Sequence, residues 1–187
     1  TYIQTDIYKV TASAEKLPME YSVGTSKGSA DNENILREAG FECISYSQYI
    51  SLLQAQGRND SAGKLSVLQD DECILVKYQP NADGSDETGS IYSLNINDGS
   101  IPLTVKATTL NNPISFANSI GTMIVSDNVY EQIKSGTVLE NSIVSINGKG
   151  IEDNENLFEN MSNLLSNSPY LQGHSHRVNE IMSASSS

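Results

Sequence analysis

Three short stretches place serine and lysine at spacings that acyl-transfer catalysis uses. Ser61-Ala-Gly-Lys64 is a Ser-x-x-Lys, Ser126-Asp127-Asn128 lies downstream of it, and Lys134-Ser135-Gly136 follows. That is the order of the serine β-lactamase signatures, in which an activated serine attacks a carbonyl. A fourth stretch, Gly24-Thr-Ser26-Lys-Gly28, has the spacing of a nucleophile elbow, which works with a late acid and histidine. Each needs particular elements around it. A Ser-x-x-Lys needs a helix to aim the lysine at the serine, and RNDSAGK, with Gly63 inside it, reads as a loop. The Ser-Asp-Asn and Lys-Ser-Gly motifs should stand far apart, the second on a sheet strand, yet here one short helix carries both. Ser126 or Asp127 suits the helix N-cap, Lys134 the negative end of the dipole and Gly136 a left-handed stop. An elbow needs a long helix directly after its serine, whereas Lys27-Gly28-Ser29 prolongs a loop. The residues therefore point away from catalysis, and no enzyme activity is expected.

Metal and cofactor chemistry fare no better. His174-Ser-His176 would put two imidazoles on one face of an extended segment, which is two ligands where a zinc site uses three or four. Asn81-Ala-Asp83-Gly-Ser-Asp86-Glu87 has the composition of a calcium loop, but its glycine is misplaced and no bidentate glutamate closes it. No glycine-rich phosphate loop and no paired-cysteine motif occurs. Neither a metal nor a cofactor is expected. Cys43 and Cys73, the two cysteines, sit in the apolar runs FECIS and DDECILV without basic neighbours. Buried free thiols are the favoured state, with a bridge between adjacent strands as the alternative.

The elements that must position these residues can be read from patterning. YIQTDIYKVTA alternates as an opening strand. DNENILREAG reads as a short helix stopped by Gly40, and FECISYS as a strand. SQYISLLQAQG reads as a helix opened by Ser47 and ended by Gly57. ECILVKY, IYSLNI and IPLTVKATTL are strands, the last two joined around Asn97-Asp98-Gly99. GTMIVS is a strand, SDNVYEQIKSG a short helix, TVLENSIVSING a strand and IEDNENLFENMSNLLSNSP the longest helix. Short connections and hairpin-like strands argue against a doubly wound sheet. The expected class is α+β, a mixed and mainly antiparallel sheet with several short helices, with room for two small lobes divided near residues 57–66. DNEN occurs at 31–34 and 153–156, which shared capping chemistry explains without a duplication.

The 187 residues suffice for one domain or two small lobes. The chain opens on Thr1 without a basic start and apolar run, and reads as a piece excised from a longer protein. It carries 23 acidic against 11 basic residues, a formal net charge of −12. Such a balance argues against nucleic acid, whose phosphates call for clustered Lys and Arg, and suits a cationic partner. The candidate contacts are Asp83, Asp86 and Glu87, close together on an expected solvated hairpin tip.

Four segments carry a family resemblance: SYSQYISLLQAQG followed by LSVLQDDECILV, then NNPISFANSIGTMIVSDNVYEQIKSG, and finally SHRVNEIMSASSS. They resemble the large extracellular domain of FtsX-like ABC transporter permeases, the bacitracin-export type of Gram-positive bacteria in particular. The resemblance runs from about Phe41 to Ser187 and fits residues 1–30 only loosely. It implies that residues 1–187 are a single extracellular domain of a multi-pass membrane permease, at the outer face of the plasma membrane. It further implies a separate cytoplasmic ATPase subunit, a membrane histidine kinase as a companion, and a cationic antimicrobial peptide or cell-wall lipid as ligand. The alternative within the same family is a mechanical domain that couples ATP hydrolysis to an external protein or lipoprotein.

Overall fold

The computed structural model describes residues 2–15, 37–77, 80–114, 121–136 and 139–146, together with Asn156, Glu159, Asn160 and Asn163. Among the described residues, seven strands and three helices with defined bounds run in the order β1 (Tyr2–Ala14), β2 (Arg37–Ser45), α1 (Tyr46–Ala55), α2 (Asn59–Gly63), β3 (Glu72–Val76), β4 (Ile91–Ile96), β5 (Gly99–Thr109), β6 (Gly121–Val125), α3 (Asp127–Gly136) and β7 (Leu139–Ile146), and Asn156, Glu159, Asn160 and Asn163 are helical as well. The strands lie in the order β2-β6-β3-β5-β4-β1-β7, and a further β2–β1 pairing closes the first six into a barrel. The pairs β1–β2, β1–β4, β3–β6 and β4–β5 are antiparallel, while β2–β6 and β3–β5 are parallel. The α+β expectation is thereby corrected: the fold is a closed six-stranded mixed barrel, mostly β, with few helices. Ile3–Val144 form one compact unit, and Thr1–Tyr2 with Ser145–Ser187 another; residues 57–66 lie inside the first.

Closure depends on the length of β1. Its alternation continues to Ala14, so Val10, Ala12 and Ala14 face inward while Lys9 and Glu15 are exposed. The strand pairs with β2 from Tyr8↔Cys43 to Ala14↔Arg37 and with β4 at Ala12↔Leu94 and Ser13↔Ser93. One strand thus joins two sheet edges and removes both. The interior holds Tyr8, Phe41, Cys43, Cys73, Leu75, Tyr92, Leu94, Leu103, Val105, Met123 and Val125, with Val129, Tyr130 and Ile133 of α3 packed into the same cluster. Filling by large side chains is what an eight-strand or smaller barrel requires. Tyr8 meets Tyr130 edge-on at 5.6 Å between ring centroids, a favoured aromatic geometry.

A second core lies outside the barrel wall. Ile44 of β2, Ile124 of β6 and Ile74 and Val76 of β3 face Tyr49, Leu52 and Leu53 of α1 and Ala62 of α2. All five residues of β6 are buried, as a strand covered on both faces must be, which explains the unbroken apolar run GTMIV.

Several local expectations change. Gly40 ends no helix: it lies in β2 opposite Thr11, so REAG extends the strand that FECIS continues. Ser45, not Ser47, caps α1, accepting the Gln48 N–H at 3.2 Å while Gln48 Oε1 accepts the Ser45 N–H at 3.1 Å. This is a full capping box. RNDSAGK is not a loop, because Asn59–Gly63 form α2. Gly57 does take the left-handed conformation, at φ 74°. Gly136 does not; a β-carbon there would clash with the Asn97 side-chain amide, so its glycine permits close approach of the β4–β5 turn. Asn97 Nδ2 donates to the Gly136 carbonyl at 2.7 Å. The segments at 24–34 and His174 and His176 lie outside the described residues.

Candidate functional site

The Ser-Asp-Asn motif sits where β6 turns into α3. Because β2 and β6 are parallel neighbours, Ser45↔Val125 in register, the helices that follow them begin side by side at one end of the barrel. Ser126 Oγ accepts the Val129 N–H at 3.1 Å and donates to Asp70 Oδ1 at 2.7 Å. Asn128 Nδ2 donates to Asp70 Oδ2 at 3.2 Å. These bonds, Ser126 first and Asn128 second, hold the Asp70 carboxyl below its ordinary range. Asp127 does not cap its own helix. Its Oδ1 accepts the Ser47 N–H of α1 at 3.0 Å, and its Oδ2 accepts from the Ser47 hydroxyl. Each helix start is therefore held by a carboxylate from another element, α3 by Asp70 through Ser126 and α1 by Asp127.

Tyr130, on the next turn, donates to the Asp6 carbonyl at 2.7 Å and accepts from Gln48 Nε2 at 3.3 Å. Burial pushes its phenol up to about 12, so it remains a neutral donor that ties α3 to β1. Its counterpart on α1, Tyr49, donates to the Asn111 carbonyl at 2.7 Å. Both tyrosines stand four residues after a capping serine, in Ser45-x-x-x-Tyr49 and Ser126-x-x-x-Tyr130. Sequence reasoning missed this doubled strand–Ser–helix unit, and that four-residue spacing is the signal that would have found it.

The lactamase-like motifs are not assembled into a nucleophile and base. Ser126 already bonds Asp70 and Val129. Lys134 is exposed in the last turn of α3. Lys64 is exposed at the C-cap of α2, and its N–H reaches the Ser61 carbonyl at 3.4 Å. Cys43 and Cys73 are free and buried, on β2 and β3 with β6 between them. Burial drives the Cys43 thiol far above its ordinary range and Cys73 up to about 12, which withdraws the thiolate from reaction. Among the described residues no three His, Cys, Asp or Glu side chains come together as a metal site.

The three expected contact acids divide. Asp83 and Asp86 are exposed, and each closes a small turn: Asp83 Oδ1 accepts the Ser85 N–H at 3.0 Å and hydroxyl at 2.6 Å, and Asp86 Oδ1 accepts the Thr88 N–H at 2.9 Å. The Ser85 hydroxyl bond is the main cause that keeps Asp83 below the ordinary carboxylate range. Glu87 is buried, which corrects the exposed tip expected of it. Lys77, also buried, places Nζ 3.1 Å from Glu87 Oε1 and 3.0 Å from Oε2, and Asn81 Nδ2 donates to Oε1 at 2.9 Å. The pair pins the β3–β4 connection to the barrel, and the surface charge of this loop comes from Asp83 and Asp86.

Compared with known proteins, the chain matches no protein-family model, and no curated protein is significantly similar to it. Among the described residues no helix is long and apolar enough to cross a membrane.

Proposed function

We propose that this chain is a non-catalytic extracellular domain of an FtsX-like ABC transporter permease, and that it engages a cationic peptide. The observation that carries the reading is where the resembling segments fall. SYSQYISLLQAQG forms the α1 capping box and helix, LSVLQDDECILV leads into and forms β3, and GTMIVSDNVYEQIKSG forms β6 and α3. These neighbours in space build the β2–β6–β3 wall, its helical cover and the α3 plug. Three of the four resembling segments thus meet in one packed unit, and SHRVNEIMSASSS lies outside the described residues. Ser45 and Ser126 serve as helix caps and both thiols are buried, while the chain carries a formal net charge of −12. Opposite charge steers association and selects partners, so a cationic ligand is the complement.

In the parent permease, ATP is hydrolysed by a separate cytoplasmic subunit, and a histidine kinase in the same membrane reads the ligand-bound state. Placement is tested by adding a protease to intact cells that produce the parent chain. Cleavage within this domain without cell lysis is expected. Full protection, lost only on permeabilisation, would contradict the extracellular assignment.

A further inference from the structure

The chain contains two Asp-Gly pairs, Asp83-Gly84 and Asp98-Gly99, and the fold treats them differently. In such a pair the glycine nitrogen has no β-carbon beside it to hinder the preceding carboxyl. Asp83 is held away from that nitrogen. Its Oδ1 accepts the Ser85 hydroxyl at 2.6 Å and the Ser85 N–H at 3.0 Å, while the Gly84 N–H donates to the Asn81 carbonyl at 3.0 Å. The bonds from Ser85, hydroxyl first, also keep the Asp83 carboxyl below its ordinary range, which depletes the neutral acid. Asp98 has no such restraint. Residues 97–100 form the exposed tip of the β4–β5 hairpin, and the Asp98 side chain makes no hydrogen bond or ion pair among the described residues. Gly99 sits at φ 152° with open space where a β-carbon would stand. Its pairing with Ile96 is the last rung of the ladder, where local opening costs least. Asn97 does not compete, because its amide donates to the Gly136 carbonyl at 2.7 Å and the residue after it carries a side chain.

We propose that Asp98 is a site of spontaneous isoaspartate formation in the folded chain, and that the fold protects Asp83 from the same reaction. The Gly99 nitrogen attacks Asp98 Cγ. A bond forms between the two, the nitrogen gives its proton to solvent, and the carboxyl hydroxyl leaves as water, closing a succinimide ring. Water then opens the ring. Attack at Cγ restores Asp98, whereas attack at the former backbone carbonyl breaks its bond to the Gly99 nitrogen and leaves a free α-carboxylate, the main chain now running through the side-chain carbons. One water leaves and one enters, so no other reactant is needed. The main chain gains one atom inside a two-residue turn. The Ile96↔Gly99 rung and the Asn97 bond to the Gly136 carbonyl both depend on that turn, so isomerisation frees the last turn of α3 from the hairpin.

The test incubates the 187-residue chain at mildly acid pH, native in one arm and in urea in the other. Isoaspartate is then methylated by an isoaspartyl methyltransferase with S-adenosylmethionine and located by peptide mass spectrometry. In urea both Asp-Gly pairs should convert alike. In the native chain Asp98 should convert at least about tenfold faster than Asp83, equivalent to about 1.4 kcal/mol, the order of one retained hydrogen bond. Asp98→Glu, which keeps the charge, should remove the signal from its peptide, and Ser85→Ala should raise conversion at Asp83. Asn147-Gly148, outside the described residues, is told apart because its route sheds ammonia and changes the mass. Amide exchange in the last turn of α3 should quicken in the isomerised chain. Equal conversion of both pairs in the native chain, or conversion at Asp98 in urea alone, would overturn the proposal, and unchanged exchange in the isomerised chain would overturn its link to α3.

Discussion

Lys77 and Glu87 illustrate how far a residue's role can depart from its local sequence. In a loop of Asn, Asp, Gly and Ser, Glu87 reads as one more solvated acid, yet it is 6% exposed and its partner Lys77 3%. Two charges taken out of water are tolerated together and not separately. Glu87→Gln should therefore cost about 3 kcal/mol in a urea melt, and Lys77→Met combined with Glu87→Leu distinctly less. A single variant no worse than the double would contradict the buried pair. Asp70 carries a different prediction. Its folded-state value is depressed, so its contribution is fully present above the unfolded value and disappears as pH falls through the lower folded one. Glu72, held down by the Gln69 N–H and by Lys106, follows the same sign. Acid melts should lose stability below the ordinary carboxylate range, and Asp70→Asn should flatten that arm without changing the neutral-to-alkaline one. The thiols supply a third check, since Cys43 and Cys73 should resist a thiol reagent at pH 8 until denaturant is added. Rapid labelling of the native chain would place a thiolate at the surface.

At the scale of elements, most strands and both ten-residue helices were legible, for physical reasons that act locally. Alternation marked β1 and β4, Asn-Asp-Gly marked the β4–β5 turn, and a serine ahead of an apolar stripe marked α1 and α3. What was not legible is what one element supplies to another. Of the two cap candidates for α3, Ser126 takes the role, while Asp127 holds the first turn of α1 through Ser47, because two parallel strands bring the helix starts together. Asp127→Ala should accordingly cost about 1 kcal/mol, and amide exchange should quicken in the first turn of α1 rather than of α3. The opposite location would restore the local capping role. Glu38 and Ala39 likewise have helix-compatible types, but the seven register pairs that β2 makes with β1 outweigh that weak propensity. Closure of the barrel was invisible for the same reason, since it rests on β1 pairing two strands that lie well apart in the chain.

Among the described residues of Ile3–Val144, a closed barrel carries the α1–α2 layer on its outside, and the chain as a whole is strongly acidic. Closure removes the free edges of the six wall strands, and Ser45 and Ser126 cap the helices that follow two of them. Long-range charge complementarity is sensitive to salt, because the Debye length falls from about 10 Å at 0.1 M to about 3 Å at 1 M. The most direct measurement is a calorimetric titration of the 187-residue chain at low and high salt. It uses a synthetic Leu/Lys peptide patterned as an amphipathic helix and a charge-reversed Leu/Glu counterpart of the same pattern. Saturable binding of the cationic peptide that weakens at least about tenfold across that salt range, with none of the acidic peptide, is the result expected. Equal binding of both peptides, or of neither, would contradict the reading of this domain as a receptor for cationic ligands.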